Sequence, residues 1–234
     1  MSLFDLDGSH VRQDLLSHGD AAAPALSATS VEKAFMSDVY AKIASSYDVF
    51  FGPPLHQGRV RAIERMDLQP GDRVLEVGVG TGINVPLYPR HAHITAIDFS
   101  ASMLERAHEK VARLDLRHVR LCEMDASDIQ FSDDSFDVVY APYLINCVPD
   151  PITVAREMRR VCRPGGRIMF LNHFRSSNPV MATLERFFTP VTLHIGFKVD
   201  LDLDGLLQQA GLHAVSAEKV NFPKSLWLLV TCVK

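Results

Sequence analysis

The sequence predicts an α/β fold: an open, mostly parallel sheet with helices on both faces. Three patterns point to it. Between residues 73 and 171, apolar strand-like runs alternate with segments of helical periodicity, the rhythm of a sheet covered on both sides. One of those strands opens into a turn holding three glycines, Gly78, Gly80 and Gly82. The chain then finishes on two strand-like runs, His213–Val220 and Leu226–Val233, whose short connection suits an antiparallel hairpin.

Residues 1–30 carry four Asp, one Arg and an Ala/Ser/Pro-rich tail, which predicts a flexible leader. From there Val31, Phe35, Val39, Ile43 and Tyr47 recur every fourth residue, the spacing of an amphipathic helix ending near Gly52-Pro53-Pro54. That stripe fits a core-facing surface or a membrane-facing one, with Lys33 and Lys42 balanced by Glu32 and Asp38. A second helix is expected at about 55–66. Strands follow at 73–77, 93–97, 117–123, 136–141 and 166–171, with helices near 84–88, 101–114, 151–162 and 203–210. The predicted organisation is therefore a leader (1–30), N-terminal helices covering a site (31–66), and one domain (67–234) with an inserted lid at 173–199.

Composition narrows the function classes. A chain of 234 residues with 47% hydrophobic and 22% charged side chains buries a substantial core. Its net charge of −4 provides no global positive excess for nucleic-acid phosphates, so no nucleic-acid partner is expected. No run approaches the ~18 apolar residues of a membrane-spanning helix, and the N-terminus lacks the charged, then apolar, then small-residue pattern of a signal, so export is not expected. Cys122, Cys147, Cys162 and Cys232 form no CxxC pair and sit in apolar surroundings, the pattern of reduced thiols in a cytoplasmic protein, with no metal site.

The segment Val74-Leu75-Glu76-Val77-Gly78-Val79-Gly80-Thr81-Gly82 is the most informative. Glycines after a strand let a ligand approach the backbone closely. The spacing is GxGxG; a nicotinamide fingerprint wants glycine at 83, where Ile83 stands. Glu76 would repel a pyrophosphate but suits a ligand with an ammonium group. Asp98, at the end of the next strand, can accept both hydroxyls of a ribose. Asp125, at the end of the third, can accept from an adenine amino group. Three carboxylates at the carboxyl ends of consecutive strands converge on the crevice where open α/β sheets bind ligands.

These residues together resemble the class I S-adenosylmethionine-dependent methyltransferases, a Rossmann-like fold. VLEVGVGTG looks like their first motif, Ile97-Asp98-Phe99-Ser100 with Met103-Leu104 like the ribose strand and adenine-packing helix, and Cys122–Ala126 like the adenine acid. Val161–Arg167 is similar to the turn before their fifth strand. The resemblance implies a seven-stranded sheet in the order 3-2-1-4-5-7-6 and S-adenosylmethionine as cofactor, with S-adenosylhomocysteine as product. Glu76, Gly78, Gly80, Thr81 and Gly82 would cradle the methionine part, and Asp98 and Phe99 the ribose. Met103, Asp125 and the backbone of Ala126 would take the adenine.

Methyl transfer from a sulfonium needs an aligned, unprotonated nucleophile and exclusion of water. Ala141-Pro142-Tyr143-Leu144-Ile145-Asn146 follows the fourth strand and lacks the Asn/Asp-Pro-Pro-aromatic sequence of enzymes that methylate bases. Tyr143 is either a ring face for a substrate ammonium or a packed aromatic. Asn146 is a candidate substrate contact. His173, at the end of the fifth strand, is either a base or a structural histidine. The lid combines Arg175, Arg186 and Lys198 with one Glu185 and interleaved aromatics, which suits an anionic, lipid-like substrate or an ordinary cap helix.

Tyr40 and Tyr47-Asp48 resemble the "YD" of two branches, the quinone C-methyltransferases and the bacterial phosphatidylethanolamine N-methyltransferases. The second is closer in Tyr47–Gly52, Val85–Pro89, Cys147–Pro151 and Gly196-Phe197. It implies cofactor contact by Tyr40 and catalysis by Tyr47, which joins Tyr143 and His173 as the candidate catalytic residues. Phospholipid is then the partner, with peripheral contact at the inner membrane face and no transmembrane segment.

Overall fold

The computed structural model describes residues 52–174, 201–221 and 227–234. The leader, the stripe of residues 31–51 with Tyr40 and Tyr47, and the lid with Arg175 and Arg186 lie outside them. Helix α1 runs to residue 65 from residue 52, the first one described. Strands β1 (Arg73–Val77), β2 (His93–Asp98), β3 (Val119–Glu123), β4 (Phe136–Pro142), β5 (Cys162–His173), β6 (Ala214–Val220) and β7 (Trp227–Val233) form a single sheet. Its helices are α2 (Ala101–Arg113), α3 (Pro151–Val161) and α4 (Leu203–Ala210).

The sheet order is β3-β2-β1-β4-β5-β7-β6, as the resemblance implied. Pairings are parallel from β3 through β5; β7 runs antiparallel to both β5 and β6. Parallel strands need their faces covered, and β1 shows why its sequence reads as a continuous apolar run: four of its five residues are buried. Leu75 and Val77 join Val139, Ile168 and Phe170 under α3 and α4. Val74, Ile94, Val138 and Met169 face the other way, against Leu55, Ala62 and Met66 of the N-terminal segment. Asp150 caps α3 by accepting from the Ile152 and Thr153 amides at 3.1 and 3.0 Å, and Pro151 fits its first turn.

Two predicted elements differ. The segment expected at 84–88 is a single 3-10 turn, Val85–Leu87, with proline inside it. The fifth strand starts at Cys162, before Pro164-Gly165 rather than after it. Pairing jumps from Phe136↔Cys162 to Val138↔Arg167, so the Pro-Gly pair is looped out as a bulge. Gly165 and Gly166 exchange backbone bonds with Lys234, which holds the bulge against the chain end. The four cysteines form no disulfide, and burial pushes the Cys162 and Cys232 thiols up to about 11.

Candidate active site

A cleft opens at the carboxyl ends of β1, β2, β3 and β4, where the strand order reverses. Its empty volume, counted out to solvent, is about 980 Å3. The floor is the glycine turn. Gly78 and Val79 donate to the Ile97 carbonyl at 2.8 and 3.0 Å, folding the turn back onto β2. Gly80 has φ +55, and a side chain built there would meet nothing within 4 Å, so its missing Cβ leaves open space along the backbone. No α-helix begins here, so the glycines act by permitting approach and not by presenting a long helix's amino end.

Asp98 stands at the end of β2 on the cleft wall. Its Oδ2 accepts from Gly80 N at 2.8 Å and its Oδ1 from Ser100 N at 3.0 Å, which fixes the carboxylate against the turn. Burial raises its pKa, and the backbone donors oppose that rise. Phe99 and Met103 line the cleft next to it. Asp125 and Ala126 line the far end, with Asp125 Oδ1 accepting the Ser127 amide and hydroxyl at 2.8 and 2.7 Å. The near wall is apolar, with Leu144, Val148, Pro149 and Val154. Two carboxylates, Asp98 and Asp125, and an open glycine backbone thus share one cleft, and their chemistry fits an adenosine with an amino-acid tail.

Other expected site residues lie deeper. Glu76 is 1% exposed, beneath the turn. Its Oε1 accepts from Asn84 Nδ2 at 2.6 Å and its Oε2 from the Tyr88 hydroxyl at 2.7 Å. Burial pushes this acid up to about 7, against the pull of those two bonds and of the Arg59 charge. Thr81 is buried, and a side chain at Gly82 would press on Ala107. Tyr143 lines the cleft at φ +56, but Arg59 sits over its ring, with Cζ 4.7 Å from the centroid. Its hydroxyl donates to the Leu55 carbonyl at 3.2 Å and accepts from Asn221 Nδ2 at 2.8 Å. Burial raises that phenol to about 12. Asn146 is fully buried, donating to the His173 carbonyl at 2.9 Å and accepting from the Asn172 amide. His173 is buried at the end of β5, its ring edge-on to Trp227.

The comparisons concern the family. The family profile described as "Methyltransferase domain" matches residues 75–170. A phosphatidylethanolamine N-methyltransferase of Cereibacter sphaeroides is 39% identical over 170 residues, 72% of this chain and 83% of that protein. The chain belongs to the S-adenosylmethionine-dependent methyltransferases. A demethylmenaquinone methyltransferase of Listeria monocytogenes is 33% identical over 159 residues, covering 64% of this methyltransferase and 67% of that protein.

Among solved structures, a Haemonchus contortus phosphoethanolamine N-methyltransferase 2, complexed with phosphomonomethylethanolamine and S-adenosylhomocysteine, aligns at a TM-score of 0.70. That alignment is 15% identical and covers 91% of this methyltransferase and 61% of that chain. The [4+2]-cyclase SpnF aligns at 0.65 with 20% identity, covering 75% of this chain and 79% of the cyclase, so the fold alone does not name a reaction.

Sequence reasoning did not pick out Arg59, Asn84, Tyr88 or Asn221. Arg59 left a signal: it falls on the apolar stripe Leu55–Ala62–Met66, where a charge is costly unless paired. Asn221 left none, because its partners are 163 and 78 residues away.

Proposed function

We propose that this methyltransferase N-methylates the head-group amine of a phospholipid at a membrane surface, taking phosphatidylethanolamine toward phosphatidylcholine. The observation that carries this reading is the 39% identity to the Cereibacter sphaeroides enzyme, sustained over 83% of that protein. The apolar near wall of the cleft supports it, since an acyl-chain substrate needs such a surface at the entrance. Among the described residues no helix is long and apolar enough to cross a membrane. The contact in this proposal is peripheral, on the inner face.

When bound, S-adenosylmethionine supplies a methyl group already activated on a sulfonium. The chain's own task is to hold, orient and shield. In this reading Asp98 holds the ribose hydroxyls, Asp125 and the Ala126 backbone hold the adenine, and Glu76 takes the ammonium end. Leu144 and Val148 exclude water from the transfer path, which favours a neutral amine close to the sulfonium. Tyr143, with a phenol near 12, keeps its proton at neutral pH and orients rather than accepts one. His173 remains the proposed base at the end of β5. Tyr40 and Tyr47 keep the cofactor-contact and catalytic roles that the resemblance implies, and the charges of Arg175 and Arg186 suit the lipid phosphate.

Incubation of the full chain with methyl-labelled S-adenosylmethionine and phosphatidylethanolamine vesicles tests the proposal. Label is expected in the lipid, and its absence from lipid while other acceptors are methylated overturns it. The second reading is C-methylation of a quinone precursor, favoured by the demethylmenaquinone relatives. It predicts label in a prenylated naphthol supplied in the same assay.

A further inference from the structure

Arg59 is a guanidinium 5% exposed on the inner side of α1. Its NH1 donates to Asn84 Oδ1 at 2.9 Å, and Asn84 Nδ2 donates to Glu76 Oε1 at 2.6 Å. The asparagine is therefore a polarised link, its oxygen toward the cation and its amide toward the acid. Glu76's other oxygen accepts from Tyr88. With both oxygens acting as acceptors, the hydrogen bonds favour the carboxylate against the burial that favours the neutral acid.

We infer that Arg59 is a positioning residue for the amino-acid end of the cofactor: through Asn84 it holds Glu76 as a carboxylate poised for an ammonium group. The inference rests on the assignment of Glu76 to that ammonium. The groups facing Glu76 come from each neighbouring element. Arg59 on α1 favours its charge, and Asn84 and Tyr88 donate to it. Asp98 on β2 opposes its charge, and Tyr140 lies beside it as its register partner on β4. Arg59 is the cation of this set. Burial has already driven the acid up to about 7, so loss of the Arg59 charge shifts it further toward the protonated form at neutral pH.

The Tyr143 ring and the Tyr143–Asn221 bonds fix where Arg59 can reach. Tyr143 lies under the guanidinium, its hydroxyl holds Leu55 O, and Asn221 accepts from Gly58 N at 2.6 Å. Arg59 is thus anchored from the residues on either side of Gly58's turn of helix, and its placement follows the docking of α1 on the sheet.

The test compares S-adenosylhomocysteine with 5′-methylthioadenosine, which has the adenosine and thioether but no amino acid, by calorimetry on the full chain. Arg59→Met is expected to weaken S-adenosylhomocysteine about tenfold or more while leaving 5′-methylthioadenosine within about twofold, as loss of one charge-assisted link implies. Arg59→Lys recovers part of the loss. The pH below which S-adenosylhomocysteine affinity declines moves up by about one unit in Arg59→Met. Should Arg59→Met fail to fold, Asn84→Leu, similar in shape, cuts the same link and carries the same expectation. Equal losses for both ligands, or no loss for either, overturn the inference. Glu76→Gln separates the two levels. A selective loss in Glu76→Gln without one in Arg59→Met overturns only the role of Arg59. Unchanged S-adenosylhomocysteine binding in Glu76→Gln overturns the ammonium assignment and the inference with it.

Discussion

The two faces of the sheet are built on different principles. Under α3 and α4 the interior is aliphatic and aromatic from Leu75 through Phe170 to Cys232, with the paired Asn146 and Asn172 buried at the end of β5, and most of its stability comes from burial and shape. Under α1 the interior also buries Arg59, Glu76, Asn84 and Asn221. Every close polar contact there costs desolvation that its partners must repay. The dry face is an anvil for the sheet; the polar face connects the glycine turn to α1. The difference teaches that a substitution deep in the dry face, away from Ile97 and Val154 that also line the cleft, should change stability alone, and that one in the polar face should change stability together with ligand affinity.

The comparison breaks most visibly if a dry-face truncation disturbs the site. Phe170→Ala is expected to cost about 4 kcal/mol in urea unfolding, from lost burial plus cavity. Its S-adenosylhomocysteine affinity should stay within about twofold, where a larger change would erase the distinction between the faces.

The polar face carries a pH signature. Glu76 ionises near 7 in the folded protein against its ordinary 4.5. Between those values the folded state keeps a proton that the unfolded chain has released. Stability therefore falls as pH rises through that window and levels off above it, by about 3 kcal/mol in all. Glu157, held low by the Arg160 guanidinium, slopes the opposite way at lower pH, so the readout is wild type minus Glu76→Gln. Parallel stability–pH curves for the two proteins would remove Glu76 as the titrating group.

At the cleft wall, Asp98→Ala is expected to lower S-adenosylhomocysteine affinity about a hundredfold, close to 3 kcal/mol, through loss of the proposed ribose acceptor. Calorimetry reads it, and affinity within threefold of wild type would move the ribose elsewhere. The smallest effect is assigned to Tyr143→Phe. Loss of the hydroxyl bonds to Leu55 and Asn221 should cost about 1 kcal/mol of stability with cofactor affinity retained. A turnover loss far beyond that would give Tyr143 a part in the reaction as well as in docking α1.

Much of this was legible before any coordinates. Strand β1 and α4 were placed at their observed limits, because continuous apolar runs and helical periodicity are local properties. Gly78, Gly80, Asp98, Phe99, Met103, Asp125 and Ala126 were singled out from spacing and resemblance, and all line one cleft. The bulge at Pro164-Gly165 was misjudged by position, since a strand can absorb a Pro-Gly pair when a neighbouring chain end supplies the missing bonds.

Residue order alone was enough for the alternation of strands and helices, the glycine turn and the acids that end the strands, because each follows from neighbours a few positions apart. Assembly in three dimensions was needed to show that Glu76 answers to Arg59 through Asn84, and that Tyr143 is clamped between Leu55 and Asn221. Those partners depend on which strands adjoin and in what register, and a buried charge declares its counterpart only once the sheet has brought the two together.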